Sequence, residues 1–256
     1  MNSVSSKAII GSNVKIGEFS VIRDDVVIGN NVEILSNVLI DDGARISDNV
    51  KICHGSAVSV LPQDLKFKGE KTFFEIGEGT TIREFVTLNR GTKFSYKSVV
   101  GKNCFLMAYV HVAHDCRVGD NVVLANAVNM GGHVEIEDWV IVGGMVAVHQ
   151  FVKIGQHSMI GGGFKVVKDV PPYIIAGNMP LRFEGVNKIG LQRRGFTSEQ
   201  ITKINEVYNI IYKSKYNVTD AVKKVKDDIQ QDEFVKTILD FIENSKRGII
   251  RGQFIG

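Results

Sequence analysis

From Val4 onward every sixth residue is aliphatic: Ile10, Ile16, Ile22, Ile28, Ile34, Ile40, Ile46, Ile52 and Val58. The series lapses, resumes in the same phase at Ile76, Ile82 and Leu88, lapses again, and then runs unbroken from Val100 to Val166. Neither a helix, with 3.6 residues per turn, nor a plain strand, with two, has a period of six. Two residues before most of these positions stands a second small or branched residue, such as Val14, Val26, Ala44, Val122 and Val134, and a turn former often follows, as in Ile16-Gly17 and Ile154-Gly155. Each hexad reads as a short strand with alternate side chains inward, then a corner where Gly, Asn or Asp accepts an unusual backbone conformation. Three hexads make a coil of 18 residues, and the 25 aliphatic positions make about eight coils of a parallel β-helix.

The lapses put polar residues where aliphatic ones are due, Asp64 and Glu70 among them. They read as loops at 61–73 and 92–98 thrown out from the prism, serving a site or nothing. The prism is expected to stop at Pro171-Pro172, since proline supplies no ladder donor. An irregular stretch leads to Thr197, which with Gln200 has the form of a capping box, and Ile201, Ile204, Val207, Tyr208 and Ile211 follow at helical spacing. Further amphipathic segments at 219–229 and 233–244 complete a division into a β-helix over 1–186 and a small helical domain over 187–256.

Composition narrows the class. Three cysteines, Cys53, Cys104 and Cys116, form no Cys-x-x-Cys pair, which argues against a disulfide framework or a cysteine zinc site and fits the reducing cytoplasm. No secretion signal is visible and no apolar run approaches the ~20 residues of a membrane span. Residues 1–186 carry 18 Lys/Arg against 19 Asp/Glu, and 187–256 carry 13 against 9, so the net charges are −1 and +4. The tail's excess suits an acidic partner or is a scatter of surface lysines; nucleic acid is not an expected partner.

Chemistry concentrates in one stretch. Three of the six histidines, His111, His114 and His133, stand in a segment otherwise built of small, aliphatic and turn-forming residues. In a coil of 18, residue n lies beside n + 18 at the ~4.8 Å strand spacing. His114 therefore lies beside Gly132, and Asp115 beside His133. The bare glycine leaves room for a reacting group near the imidazole, and its N–H is placed to donate. A neutral imidazole takes a proton from an alcohol, and a backbone N–H stabilises the oxyanion formed when that alcohol attacks an acyl carbonyl. The same arithmetic stacks Asn126, Gly144 and Gly162 in one column, either a groove for an extended acyl chain or a place of close packing. Cys104 and Cys116 occupy small inward positions and read as core, whereas His54 and His157, near polar corners, read as surface.

Several strings carry a further likeness: Pro62-Gln63-Asp64-Leu65-Lys66, Ile82-Arg83-Glu84, His111 to Cys116, Gly131-Gly132-His133-Val134, Gly143-Gly144-Met145, Ala147-Val148-His149-Gln150-Phe151, Asp169-Val170-Pro171-Pro172-Tyr173, Gly185-Val186-Asn187, Arg193-Arg194-Gly195-Phe196 and Lys246-Arg247-Gly248. Across nearly its whole length the chain resembles the cytoplasmic UDP-N-acetylglucosamine O-acyltransferases that begin lipid A synthesis. The resemblance implies a homotrimer of left-handed β-helices with sites at subunit interfaces. His114 would be general base on the sugar 3-hydroxyl and Gly132 the oxyanion donor, the acyl group arriving as an (R)-3-hydroxyacyl thioester on acyl carrier protein. Lys66, His111 and His133 would contact substrate, with Asp64 near the sugar and His149 and Gln150 close by. Asn187, Arg193 and Arg194 would hold the nucleotide. Gly144, Met159 and Gly162 would line the acyl groove, Gly162 setting chain length. No cofactor is implied beyond the phosphopantetheine that comes with the donor, and no resident metal. Lys223, Lys224 and Lys226 are candidates for docking the carrier. One position departs from the family: two after Asn187, where an acidic residue is frequent, stands Ile189. Rival readings are N-acylation of a 3-amino sugar, a trimeric zinc-dependent β-helix hydratase using His111 and His114 with His133 or His149, and a non-catalytic scaffold.

Overall fold

The sixth-residue aliphatics all turn to one axis, and Ile40, Ile52, Leu88, Leu106, Val142 and Ile160 are fully buried there. The structure, a computed structural model, describes residues 1–252. Among the described residues most rungs are strands of only two residues, stacked, in parallel except for one, into three sheets of nine, eight and ten strands that form the faces of a prism. The pairing follows the arithmetic: Val21 with Leu39, His111 with Asn129, Arg117 with Glu135 and Ile141 with Met159. Burial of these aliphatics, at roughly 25 cal/mol per Å² of apolar surface, drives a wall whose strands are too short to stand alone.

Across the first excursion the partners are 30 residues apart (Lys51 with Thr81), and across the second 24 (Thr81 with Phe105), instead of 18. The loops thus add two hexads and one, and the aliphatic series returns in phase for that reason. Their borders differ from the expected ones. Phe73–Ile76 and Lys97–Val100 are strands, so Phe73, Lys97 and Ser98 belong to the wall, where cross-strand partners recapture them.

The corners require positive φ. Along one edge Asn13, Asn31, Asn49, Asn103 and Asn121 hold φ of 56°, 56°, 59°, 52° and 57°, a region asparagine tolerates better than other non-glycine residues. The same column then changes to Trp139, His157 and Tyr173, whose rings stack at 6.1 and 5.7 Å. Phe196 and Phe234 of the tail pack edge-on to Tyr173. Aromatics replace asparagine where the helices need something to rest on.

The sheet does not end at the proline pair. Ile174–Gly177 pairs in parallel with Met159–Ile160 and in antiparallel with Arg182–Val186, so the stretch expected to be irregular is a hairpin extending the third face. Beyond it come α1 (Lys188–Arg193), capped by Asn187, α2 (Ser198–Lys213), α3 (Val218–Asp228) and α4 (Glu233–Glu243). The capping box at Thr197 and Gln200 is formed. The buried Tyr208 hydroxyl donates to the Pro172 carbonyl at 2.6 Å. No helix among the described residues is long and apolar enough to cross a membrane.

The corner geometry gives a stability prediction. Asn121→Val places a β-branched side chain at a φ of 57° and should destabilise the protein by about 1–3 kcal/mol, while Asn121→Gly should be nearly neutral; equilibrium or thermal denaturation of both variants measures the difference.

Candidate active site

His111 and Val112 form a strand of the first face, and residues 113–116 turn the corner to Arg117–Val118 on the second. One rung on, Gly131, Gly132 and His133 make the same corner, and His149, Gln150 and Phe151 follow above them. A methyl built on Gly132 would stand 2.6 Å from Cε1 and 2.8 Å from Nε2 of His114. Only glycine lets that ring lie across the corner. At the matching hexad position on the next edge, backbone N–H groups of Ser12, Asn30, Lys102 and Asp120 donate to the carboxylate or amide of the rung above, at 2.7–2.9 Å. The Gly132 N–H has no acceptor among the described residues, since the rung above offers Gln150 in place of Asp or Asn.

Asp115 is the functional residue that reading the sequence missed. Its Oδ2 lies 2.8 Å from His114 Nδ1 and accepts the Thr92 hydroxyl at 2.7 Å. Oδ1 accepts the Thr92 and Ser95 N–H groups at 3.0 and 3.2 Å and the Ser95 hydroxyl at shorter range. Burial alone would raise its pKa. The hydrogen bonds from His114, Ser95 and Thr92 outweigh burial and hold the carboxyl well below the usual carboxylate range. A carboxylate at Nδ1 fixes the tautomer, with the proton on Nδ1 and the Nε2 lone pair toward the Gly132 corner.

The other predicted residues divide. His133 stacks on Phe151 at 4.3 Å, meets Phe94 edge-on at 4.5 Å and His114 at 5.1 Å. Its buried Nδ1 has no hydrogen-bond partner among the described residues and lies 3.9 Å from Asp115 Oδ2. Burial lowers the pKa of His133, as it does that of His111. His111 Nδ1 is 2.8 Å from Thr87 Oγ1 on the wall. Asp64 accepts the Lys66 N–H at 2.9 Å in the first excursion, and its charge reaches His133. His149 and Gln150 are exposed one rung above. The group of metal-competent side chains gathered here is His114, Asp115 and His133. It leaves out His111 and His149, and the Asp115 oxygens in it already accept protein donors.

The remaining residues stand on other edges. Asn187 is buried, its Oδ1 accepting from Gly190 N–H and its Nδ2 donating to the His157 carbonyl. Arg194 lies over Trp139 at 5.4 Å and donates to His157 Nδ1 at 3.3 Å, and Arg193 is exposed beside it. His157 is therefore half-buried, not a free surface residue: burial and the Arg194 charge push its pKa down to about 4, because the tail covers a corner that looks polar in sequence. Gly144 and Gly162 stack on the third edge, a methyl on Gly162 meeting the Gly144 carbonyl oxygen at 3.1 Å. Met159 faces outward on the adjoining third face. Ile189 is exposed on α1. Cys104 and Cys116 are buried thiols pushed up to about 11 and about 12 by desolvation. Two of the three tail lysines are paired, Lys224 with Asp228 at 2.8 Å and Lys226 with Glu243 at 2.5 Å. An apolar cavity of about 480 Å³ lies at the C-terminal end among Phe164, Val167, Met179 and Leu181, lined by none of the histidine-cluster residues.

Fold and site together define a hexapeptide-repeat acyltransferase, and the comparisons specify which. The six-repeat bacterial transferase hexapeptide family matches residues 7–42 and 97–132, and the second domain of the UDP-N-acetylglucosamine O-acyltransferases matches 169–250. An acyl-(acyl-carrier-protein)–UDP-N-acetylglucosamine O-acyltransferase of Trichlorobacter lovleyi is 50% identical over 253 residues, 97% of each chain. The namesake from Burkholderia mallei is 41% identical over 205 residues, 78% of each. A crystal structure of a UDP-N-acetylglucosamine acyltransferase from Bacteroides fragilis superposes with a TM-score of 0.95 at 44% identity, covering 98% of both chains. The chain belongs to the UDP-N-acetylglucosamine O-acyltransferase family, and its β-helix is left-handed.

The carboxylate predicts a pH dependence. Because the folded state depresses the Asp115 pKa, its contribution is complete above the unfolded value near ~3.9 and is lost as pH falls below it. Denaturation at about pH 5 and about pH 3 should show the parent losing more stability than Asp115→Asn.

Proposed function

We infer that the protein transfers an (R)-3-hydroxyacyl group from acyl carrier protein to the 3-hydroxyl of UDP-N-acetylglucosamine, the first step of lipid A biosynthesis. The observation that carries this reading is the His114 imidazole lying across the open face of Gly132 with Asp115 at its other nitrogen. Nε2 takes the proton of the sugar hydroxyl as the oxygen attacks the thioester carbonyl. The Gly132 N–H receives the oxyanion, worth roughly 3 kcal/mol in comparable sites. The tetrahedral intermediate collapses by breaking the C–S bond, and the imidazolium returns its proton to the departing thiolate. General-base assistance of this kind contributes typically ~10²–10⁴-fold. The reaction uses no group beyond these side chains and the phosphopantetheine of the donor, and its substrates place it in the cytoplasm.

We propose further that the working unit is a homotrimer. The base stands on one edge, Arg193 and Arg194 on a second, and Gly144 and Gly162 on the third. A rigid prism cannot turn three edges to one substrate. A ring of copies related by a threefold axis can, bringing the guanidinium fork that suits a diphosphate and the bare glycine column to a neighbour's histidines. Lys66, Asp64, His133, His149 and Gln150 would then hold the sugar. The acidic carrier would meet the positive tail at Lys223, which has no carboxylate partner among the described residues.

His114→Ala should lower kcat by at least about 10³-fold while the oligomer still forms, as read by sedimentation and a thioester-release assay; near-parental turnover would refute the base assignment. The parent, supplied with carriers bearing 3-hydroxyacyl chains of graded length and with hydroxyl and amino acceptors, should give the O-acyl product by mass. Gly162→Leu should shift the preferred donor toward shorter chains.

A further inference from the structure

We infer that the excursion at 90–96, which lengthens its coil by six residues, is a positioning device for the general base: Thr92 and Ser95 hold the Asp115 carboxylate, and through it fix which nitrogen of His114 carries the proton. This deepens the acyl-transfer reading, but how the imidazole is held stands on geometry independent of the substrate.

The rungs that follow, as far as Ala147 with Lys165, close in 18 residues. Here six more leave between the strands Thr87–Asn89 and Lys97–Val100, and they turn back on the site. Four donors of this excursion, two N–H groups and two hydroxyls, converge on one carboxylate. Thr92 and Asp115 are only 6% and 5% exposed, so water does not substitute freely for a lost donor. The Thr92 hydroxyl is directed as well as near. Its oxygen accepts the Phe94 N–H at 3.2 Å, which turns its single proton to Asp115 Oδ2, the oxygen that also receives His114 Nδ1. With Oδ1 occupied by the other three donors, the carboxylate has one orientation, and a flip of the imidazole would set a C–H against Oδ2 in place of the N–H. The same loop touches the second imidazole, since Phe94 meets His133 edge-on at 4.5 Å while Phe151 stacks on its face at 4.3 Å.

The bonds have a simpler reading, in which Asp115 merely ties down the loop. That reading predicts a change in melting temperature and nothing at His114. Among the described residues the titratable groups facing the imidazole are Asp115, His111 and His133, so a change in the donors to Asp115 should be read in the pH profile of the rate. Fewer donors leave the carboxylate charge less dispersed and the imidazolium better stabilised, which moves the acid limb of the rate profile to higher pH.

The test uses the full-length protein with Thr92→Val, which removes the hydroxyl at nearly constant volume, Thr92→Ser, which restores it, and Thr92→Val with Ser95→Ala. Expected are a fall in kcat of about tenfold for Thr92→Val and about 100-fold for the double variant, consistent with the cost of small misplacements, with KM within about twofold of the parent. The acid limb should rise in both, and Thr92→Ser should return both values to parental. Ring ¹⁵N NMR of the ligand-free protein should show the Nδ1–H tautomer of His114 depleted in Thr92→Val; this readout is independent of whether the acyl-transfer reading holds. A folded double variant with parental kcat, acid limb and tautomer overturns the inference. So does a loss of activity that accompanies a lowered melting temperature with the tautomer and acid limb unmoved. If the double variant does not fold, Thr92→Val decides by the same criteria.

Discussion

The pairing of each residue with its counterpart one coil later is the constraint on which everything else in this molecule rests. Parallel ladders satisfy the backbone along the axis, and the aliphatic sixth positions fill the interior. Neither task involves the corner side chains. Chemistry can therefore be written on an edge without disturbing the core: Val112, Val118 and Val134 stay buried whatever His114, Asp115 and His133 do beside them. The fixed rung spacing is also what sets a glycine N–H next to an imidazole 18 residues earlier, without a dedicated loop to carry it.

The corners exact a conformational cost that the wall absorbs. Asp115, His133 and Phe151 occupy the left-handed region with φ of 59°, 61° and 64°, a placement costing of order 1–3 kcal/mol for residues other than glycine. On the neighbouring edge asparagines relieve most of it. Where a ring or carboxylate must project from the same spot, the strain persists because the strands on both sides determine the backbone. Function and strain coincide here for a geometric reason: the left-handed position aims its side chain along the edge, toward the rungs above and below.

Much of this was legible in the residues. A six-residue period admits one architecture, and arithmetic on it put His114 against Gly132 and Asp115 against His133. Asp115 itself escaped notice because an aspartate at a corner reads as a turn former; its partners, Thr92 and Ser95, lie in an excursion that breaks the period, and no spacing rule connects them. The hairpin after Pro171-Pro172 was hidden because it pairs once in parallel and once in antiparallel, outside the repeat. His157 looked exposed because a local pattern cannot foresee a distant helical tail folding over it. The dispersal of base, guanidinium groups and glycine column over three edges was implicit in the same period, yet it takes the assembled prism to show that one chain cannot unite them.

The strand bearing His111 is sixth of nine in the first face, so the catalytic corner is an interior member of a stack in which each rung touches only its immediate neighbours. Such a quasi-one-dimensional array opens from its ends. Fraying at the amino-terminal rungs, where Ile9 and Val4 are exposed, must melt several intact layers before it disturbs the base. Rigidity at the reacting atoms is then inherited from position along the axis, and the terminal turns can fluctuate without cost to turnover.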